Sequence, residues 1–105
     1  MNTDSTLPVL RPFLDECLRL TALPAKQRKK LPALYYYLAG KFELGRDYSE
    51  SEVNDLLDTW STFHDPATLR RELFNHCLLN RTDNCSRYWL EADIPELPEF
   101  IAAYL

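Results

Sequence analysis

The feature that most constrains the fold of this chain is a change of hydrophobic period near residue 77. Before that point apolar residues recur at three- and four-residue steps, as they do in amphipathic helices. After it, residues 78–81 and 87–90 are strand-like and flank a polar stretch at residues 82–86, which predicts a β-hairpin. A chain of 105 residues has room for one core. Helices followed by one hairpin are the element order of a winged helix.

Two helices are predicted in the first half of the chain. An apolar stripe over residues 8–22 predicts an N-terminal helix, and a second stripe predicts a helix over residues 26–42. Pro32 lies inside the second stripe, where a helix interior would lose a hydrogen bond. The helix therefore either begins near Pro32 or begins near Pro24 and is kinked at Pro32, and we favour the early start.

The next two helices carry clear start signals. In "YSESEVNDLLDTW", Ser49 and Glu52 fit a capping box, and an apolar stripe with helical spacing follows them. Asp65 followed by Pro66 predicts an N-cap and the first position of another helix. On that helix Leu69, Leu73 and Cys77 are four residues apart, so we expect all three to face inward.

These elements predict a mainly α fold, a winged helix-turn-helix-like domain with three helices, a small C-terminal hairpin wing and an extra N-terminal helix. An extended segment near residues 46–48 is expected to pair with the hairpin as its third strand. The predicted parts are an N-terminal helical extension (1–22), a winged-helix-like domain (23–91) and an acidic, apolar tail (92–105). A short helix is expected in the tail from Pro98, docked on the body or on a second subunit.

Composition excludes several classes of protein. No apolar stretch is long enough to cross a bilayer, and the first residues do not resemble a secretory signal. Three widely spaced cysteines indicate reduced thiols, so we expect a cytoplasmic protein. No arrangement of histidine and cysteine has metal-ligand spacing, and no nucleophile–base pair or phosphate loop is evident. We therefore expect no metal, no cofactor and no enzymatic activity.

Four stretches, "LPAKQRKKLPALYYYLAGKF", "YSESEVNDLL", "DPATLRRELFNHCLLNR" and "SRYW", resemble in their order a bacterial family called domain of unknown function 2087. The resemblance implies a small winged-helix domain, and some members resemble or are joined to transcriptional regulators. This chain has Cys85 where members usually have a glycine in the hairpin turn. It also has Pro32 where members have an ordinary helix former.

The adjacent arginines of "DPATLRREL" are predicted to have different roles. Successive helical residues differ by about 100°, so Arg70 lies beside the buried stripe and Arg71 points away from it. We expect Arg70 to form a structural ion pair on the preceding helix, with Glu50, Glu52 or Asp55 as candidates and Glu52 as the choice. Arg71 would belong to an outer face, which is either a solvated surface or the reading face of a DNA binder.

The net charge of −4 opposes nucleic-acid binding as a whole, although basic residues are locally concentrated. If the chain binds duplex DNA, the recognition helix supplies the reading face, the hairpin arginines contact phosphate from the wing, and "KQRKK" adds further contacts. The candidate nucleic-acid-binding residues are Thr68, Arg71, Asn75, Arg81, Arg87, Lys29 and Lys30.

The alternative is a protein-interaction or dimerisation module on the same scaffold, without DNA binding. The acidic charge and the apolar ends of the chain favour it. Three consecutive tyrosines surround one helix, so they cannot all be buried on one side. The candidate interface residues are Tyr36, Tyr37, Phe100 and Tyr104.

Overall fold

The computed structural model describes residues 10–23 and 30–103. These residues form four α-helices and a three-stranded antiparallel sheet, preceded by a 3-10 turn at Arg11–Phe13. In chain order the elements are α1 (Leu31–Ala39), β1 (Asp47–Tyr48), α2 (Glu50–Thr59), α3 (Pro66–Asn75), β2 (Leu79–Arg81), β3 (Tyr88–Leu90) and α4 (Leu97–Ala103).

The sheet has the order β1-β3-β2, so the predicted hairpin and the predicted third strand are both present. Tyr88 of β3 lies opposite Tyr48 on one side and Arg81 on the other, while Trp89 lies opposite Asp47 and Asn80. Because side chains alternate across a strand, the residues of the Tyr88 row face the helices and those of the Trp89 row face outward. Tyr88 and Tyr48 are buried accordingly.

Helix α2 begins as its sequence predicts. The Ser49 hydroxyl accepts a hydrogen bond from the Glu52 backbone N–H at 3.1 Å, and the Glu52 carboxylate accepts one from the Ser49 N–H at 2.9 Å. Two backbone donors that no helical carbonyl can reach are thereby satisfied. The hydrogen bond from the Ser49 backbone N–H, the largest cause, lowers the pKa of the Glu52 carboxyl group.

Helix α3 packs its apolar stripe against α1 and α2. Asp65 caps the helix through the Thr68 N–H, and Pro66 occupies the first turn, where its missing N–H costs nothing. Leu69 and Leu73 are completely buried. Each such leucine contributes about 1.5–3 kcal/mol of hydrophobic stabilisation. This packing fixes which side of α3 remains accessible.

Helix α1 is the centre of the molecule. It begins at Leu31 with Pro32 in its first turn, which is the later of the two predicted starts, and there the proline removes no helical hydrogen bond. The favoured early start, near Pro24, lies outside the described residues. Every residue from Pro32 to Ala39 is buried, so neighbours surround the helix on all sides.

The predicted helix over residues 8–22 was wrong from residue 11 to residue 22: Leu10 is helical, but after it only a 3-10 turn forms at Arg11–Phe13. The Asp15 carboxylate explains the interruption. It accepts hydrogen bonds from the backbone N–H groups of Cys17 and Arg19, both at 2.9 Å, and pairs with the Arg19 guanidinium. These local bonds replace the helical ones. Leu18, between them, has a positive φ of 61°.

The N-terminal segment is nevertheless part of the core. The Leu20 N–H donates to the Trp60 carbonyl at 2.8 Å, and the Thr62 N–H donates to the Leu20 carbonyl at 2.9 Å. The Tyr37 hydroxyl donates to the Leu18 carbonyl at 2.7 Å. Leu20 itself is fully buried. The segment is thus attached to α1 and to the loop between α2 and α3.

The predicted interface residues Tyr36, Tyr37 and Phe100 are buried inside the chain and do not form a surface. Tyr36 packs on Phe100 of α4, with ring centroids 5.3 Å apart, and its hydroxyl donates to the Pro95 carbonyl at 2.9 Å. Burial raises the pKa of both tyrosine hydroxyls. The remaining candidate, Tyr104, lies outside the described residues.

Cys77 is exposed, not buried as predicted, because α3 ends two residues before it. The Cys77 N–H donates to the Phe74 carbonyl and the Leu78 N–H donates to the Leu73 carbonyl, which is the hydrogen-bond pattern of a Schellman motif. Cys77 occupies the left-handed position of that motif, with φ of 59°. This position favours glycine.

Candidate functional site

The accessible side of α3 faces the hairpin across a groove. Arg71 and Asn75 are exposed, whereas Thr68 is half-buried and does not line the groove. No carboxylate of the described residues lies within ion-pair distance of Arg71. Arg71 therefore presents an uncompensated positive charge at the groove.

Arg70 is fixed beside Arg71 by helix α2. Its guanidinium donates to the Asn54 side-chain oxygen and lies 3.6 Å from the Glu50 carboxylate. The side chain is only 15% exposed. The predicted ion pair with Glu52 was wrong.

Helical geometry explains this exchange of partners. Glu50 and Asn54 are four residues apart and lie on the same face of α2. Glu52 is directed back toward the start of its helix by the capping box, and its carboxylate lies 3.3 Å from the Arg46 guanidinium. The carboxylate that completes the cap is therefore not the one that reaches α3.

Arg81 of β2 reaches the same groove from the hairpin. Its guanidinium stacks over the Phe74 ring at 4.5 Å, and Nη1 contacts the Thr82 carbonyl at 3.2 Å, the Asp83 carbonyl at 3.4 Å and the Cys85 Sγ at 3.2 Å. Cys85 has a φ of 60°, so it adopts the conformation expected of a glycine in this turn. The hairpin turn and the Arg81 side chain are thus held together.

Arg81 and Arg87 were both predicted to be wing contacts, but they do not lie on one surface of the hairpin. Arg87 lies on the outer face of the sheet, 3.5 Å from the Asp47 carboxylate and with its guanidinium 5.6 Å from the Trp89 ring. Arg81 lies on the inner face because it is opposite Tyr88. The register of the hairpin places the two arginines on opposite sides.

We call this space the arginine groove, defined by Arg70, Arg71, Arg81 and Glu50 and a volume of about 350 Å³. Three positive charges face one negative charge, a net of +2 in a chain of net charge −4. The grouping of Arg81 with the α3 arginines was not predicted from the sequence. Its signal was the alternation that sets Arg81 and Arg87 on different faces once Tyr88 is assigned to the core.

The arginine groove also contains neutral donors. Asn75, Cys85 and Tyr88 line it. Burial, followed by the hydrogen bond with the Cys85 thiol, raises the pKa of Tyr88, so its hydroxyl stays protonated at neutral pH. The groove can therefore offer guanidinium and amide donors to an anion, while the Tyr88 hydroxyl is hydrogen-bonded to Cys85.

Lys30 is not brought to the arginine groove. The Lys30 ammonium lies over the Phe13 ring at 5.4 Å, on the N-terminal side of the molecule. Lys29 lies outside the described residues. Within residues 10–23 and 30–103 no cluster of three histidine, cysteine or acidic side chains is arranged to hold a metal ion. None of the helices in these ranges has the length and apolar character needed to cross a bilayer.

Comparison with known proteins finds one family. The model of an uncharacterised protein family conserved in bacteria (DUF2087) matches residues 19–90, which include α1 to α3 and the whole sheet. No curated protein and no solved structure matches the sequence significantly.

Proposed function

Because the chain belongs to domain of unknown function 2087, a family with no assigned activity, we propose from its geometry that it is a winged-helix module that binds duplex DNA. The element order α1-β1-α2-α3-β2-β3 supports this proposal, with α3 as the recognition helix and the β2–β3 hairpin as the wing. In such modules the second helix of the helix-turn-helix enters the major groove.

The observation that carries the proposal is the outward position of Arg71. It lies on the side of α3 opposite Leu69 and Leu73, is exposed, and has no ion pair with a described residue. Arginine and asparagine are common donors to the DNA backbone, and the planar guanidinium of arginine can form paired hydrogen bonds to two phosphate oxygens. Arg71 and Asn75 are one helical turn apart and would approach the DNA from the same side of α3.

Arg87 and Glu72 have different expected effects on DNA binding. Arg87, on the outer face of the hairpin, would contact a flanking phosphate in competition with Asp47. Glu72 would repel phosphate on the same helix, but it lies 3.7 Å from His76 and does not line the arginine groove. Glu72 therefore lies outside the set of residues that line the arginine groove.

The test is binding of a mixed-sequence fluorescent duplex, measured by anisotropy between about 50 mM and 200 mM salt. We expect affinity to fall steeply as salt rises, since bound phosphates release counterions. Arg71→Gln should weaken binding and reduce the magnitude of the log–log slope by about 1. Arg11→Gln, at an exposed arginine of the N-terminal turn, is the matched control and should leave the slope unchanged.

Two results would end the proposal. One is the absence of binding at the lowest salt concentration. The other is an equal effect of Arg71→Gln and Arg11→Gln, which would mean that the affinity comes from diffuse charge and not from α3.

A second candidate function, a protein-interaction module, is supported by one observation on the other side of the sheet. Leu44 is 65% exposed, and it adjoins Trp89 and Ala92 around a cavity of about 420 Å³. Exposed apolar patches on small domains often mark protein contacts.

This candidate predicts self-association that depends on Leu44. Sedimentation over a concentration series should show a dimer that Leu44→Ser weakens, with Leu18→Ser, at an exposed leucine elsewhere, as the control. A strict monomer at every concentration would remove dimerisation as a function of this patch.

A further inference from the structure

We infer that the arginine groove is a discrete site for one phosphate group, which the phosphate backbone occupies when DNA is bound. The inference deepens the proposed function and rests on it, since duplex DNA is the expected source of the phosphate. It differs from general charge attraction because it assigns the group to one groove, between α3 and the hairpin, and to named guanidinium groups.

The net positive charge of the arginine groove favours the binding of an anion. Arginine stays protonated throughout the physiological pH range, so Arg70, Arg71 and Arg81 repel one another. Glu50 offsets one charge by pairing with Arg70. Asp47 pairs with Arg87 on the outer face of the sheet, and Asp83 contacts Arg81 through its backbone carbonyl and not through its carboxylate. A phosphate would balance the remaining charge of +2.

Two of the three guanidinium groups are held in place before any ligand binds. Arg70 is fixed by Asn54 and Glu50, and Arg81 is fixed by its stack on Phe74 and by the turn carbonyls. Fixed side chains lose little conformational entropy on binding, so more of the interaction energy appears as affinity. Flexible surface arginines lack this advantage.

Donors remain for the ligand. All contacts of the Arg81 guanidinium with described oxygen and sulfur atoms use Nη1, which leaves Nε and Nη2 for an acceptor. The exposed Arg71 contributes a whole guanidinium, and the planar fork of arginine matches two oxygens of a phosphate. The exposed Asn75 amide can add a neutral hydrogen bond. The volume of about 350 Å³ accommodates a phosphate together with part of the chain that carries it.

The experiment is an NMR titration of the whole chain with inorganic phosphate, at constant ionic strength maintained with sodium chloride. We expect saturable shifts in the amide signals around residues 70–75 and 81–88. Arg71→Gln should weaken phosphate binding about tenfold, as expected for the loss of one charge-assisted contact. Arg11→Gln should change it by less than about twofold. Because Arg71 is exposed, its variant should keep the wild-type spectrum elsewhere.

A second arm identifies the source of the phosphate. Inorganic phosphate at constant ionic strength should displace the fluorescent duplex from the wild-type chain and displace it less from Arg71→Gln. Shifts that rise linearly without saturation, or equal effects of the two variants, would overturn the phosphate site even if duplex binding were salt-dependent. Saturable phosphate binding without duplex binding would retain the site, with a small phosphate ester as its ligand, and would reject the DNA function.

Discussion

Replacing Cys77 by glycine should raise the free energy of unfolding. Cys77 holds the left-handed position of the Schellman motif after α3, with φ of 59°, and its side chain is exposed. A residue with a Cβ is disfavoured there by about 1–2 kcal/mol, and the extra freedom of glycine in the unfolded chain cancels about half of that gain. Since no buried contact of the thiol is lost, we expect a net increase of about 0.5–1 kcal/mol.

The assay is thermal and urea unfolding under reducing conditions, followed by circular dichroism. The expected increase corresponds to a rise in Tm of about 3–6 °C for a domain of this size. Cys77→Ser is the control, because it removes the thiol but keeps a Cβ at the same backbone position. If Cys77→Gly is no more stable than Cys77→Ser, the strain argument is wrong.

Cys85 provides a second test of the backbone-strain argument. Its φ of 60° is nearly identical, yet its half-buried side chain contacts Arg81 and packs against the core. Glycine at this position would relieve the same backbone strain but would remove the contact and the packing. We therefore expect Cys85→Gly to gain nothing, so two cysteines with one backbone conformation should respond differently.

Three further predictions concern the packing and the caps. Arg70→Gln should lower the free energy of unfolding by about 1–2 kcal/mol, because it leaves partly buried partners unpaired. Arg71→Gln should change that free energy by less than about 0.5 kcal/mol. Urea titrations would measure both, and the reverse order would contradict the faces of α3 assigned to the two arginines. Phe100→Ala should cost about 3 kcal/mol and speed amide hydrogen exchange in α4, whereas unchanged exchange would mean that α4 does not depend on this contact. The wild type should be more stable than Glu52→Gln, and this difference in the free energy of unfolding should be fully present above pH 4.5, the usual carboxyl pKa. The difference should shrink as pH falls through the lowered pKa of Glu52. A difference that does not vary with pH would refute the role of the charged cap.

The elements that the sequence predicted well have local signals. The capping box at Ser49 and Glu52, the Asp65–Pro66 start and the hairpin all depend on neighbouring residues, and all are present. The interruption by Asp15 was missed because hydrophobic period does not show whether a side chain will compete for backbone donors.

The site was predicted less well because it depends on long-range register. Arg71 was correctly placed on the exposed side of α3 from helical geometry alone. The partner of Arg70 and the inward course of Arg81 depend on how α2 and the hairpin meet α3, and no local pattern contains that information. The prediction that tyrosines of α1 form an interface was wrong for a related reason. The period rule assumes that a helix has an exposed side, and residues 32–39 of α1 are all buried.

The complete burial of α1 means that the unit of folding is larger than the unit of sequence similarity. The family match ends at residue 90, but Tyr36 is covered by Phe100 and hydrogen-bonded to the Pro95 carbonyl. A fragment cut at residue 90 would leave an aromatic face of its central helix open to water, and we expect it to aggregate. Comparisons among members of the family should therefore follow the chain past the hairpin and ask what covers this face in each.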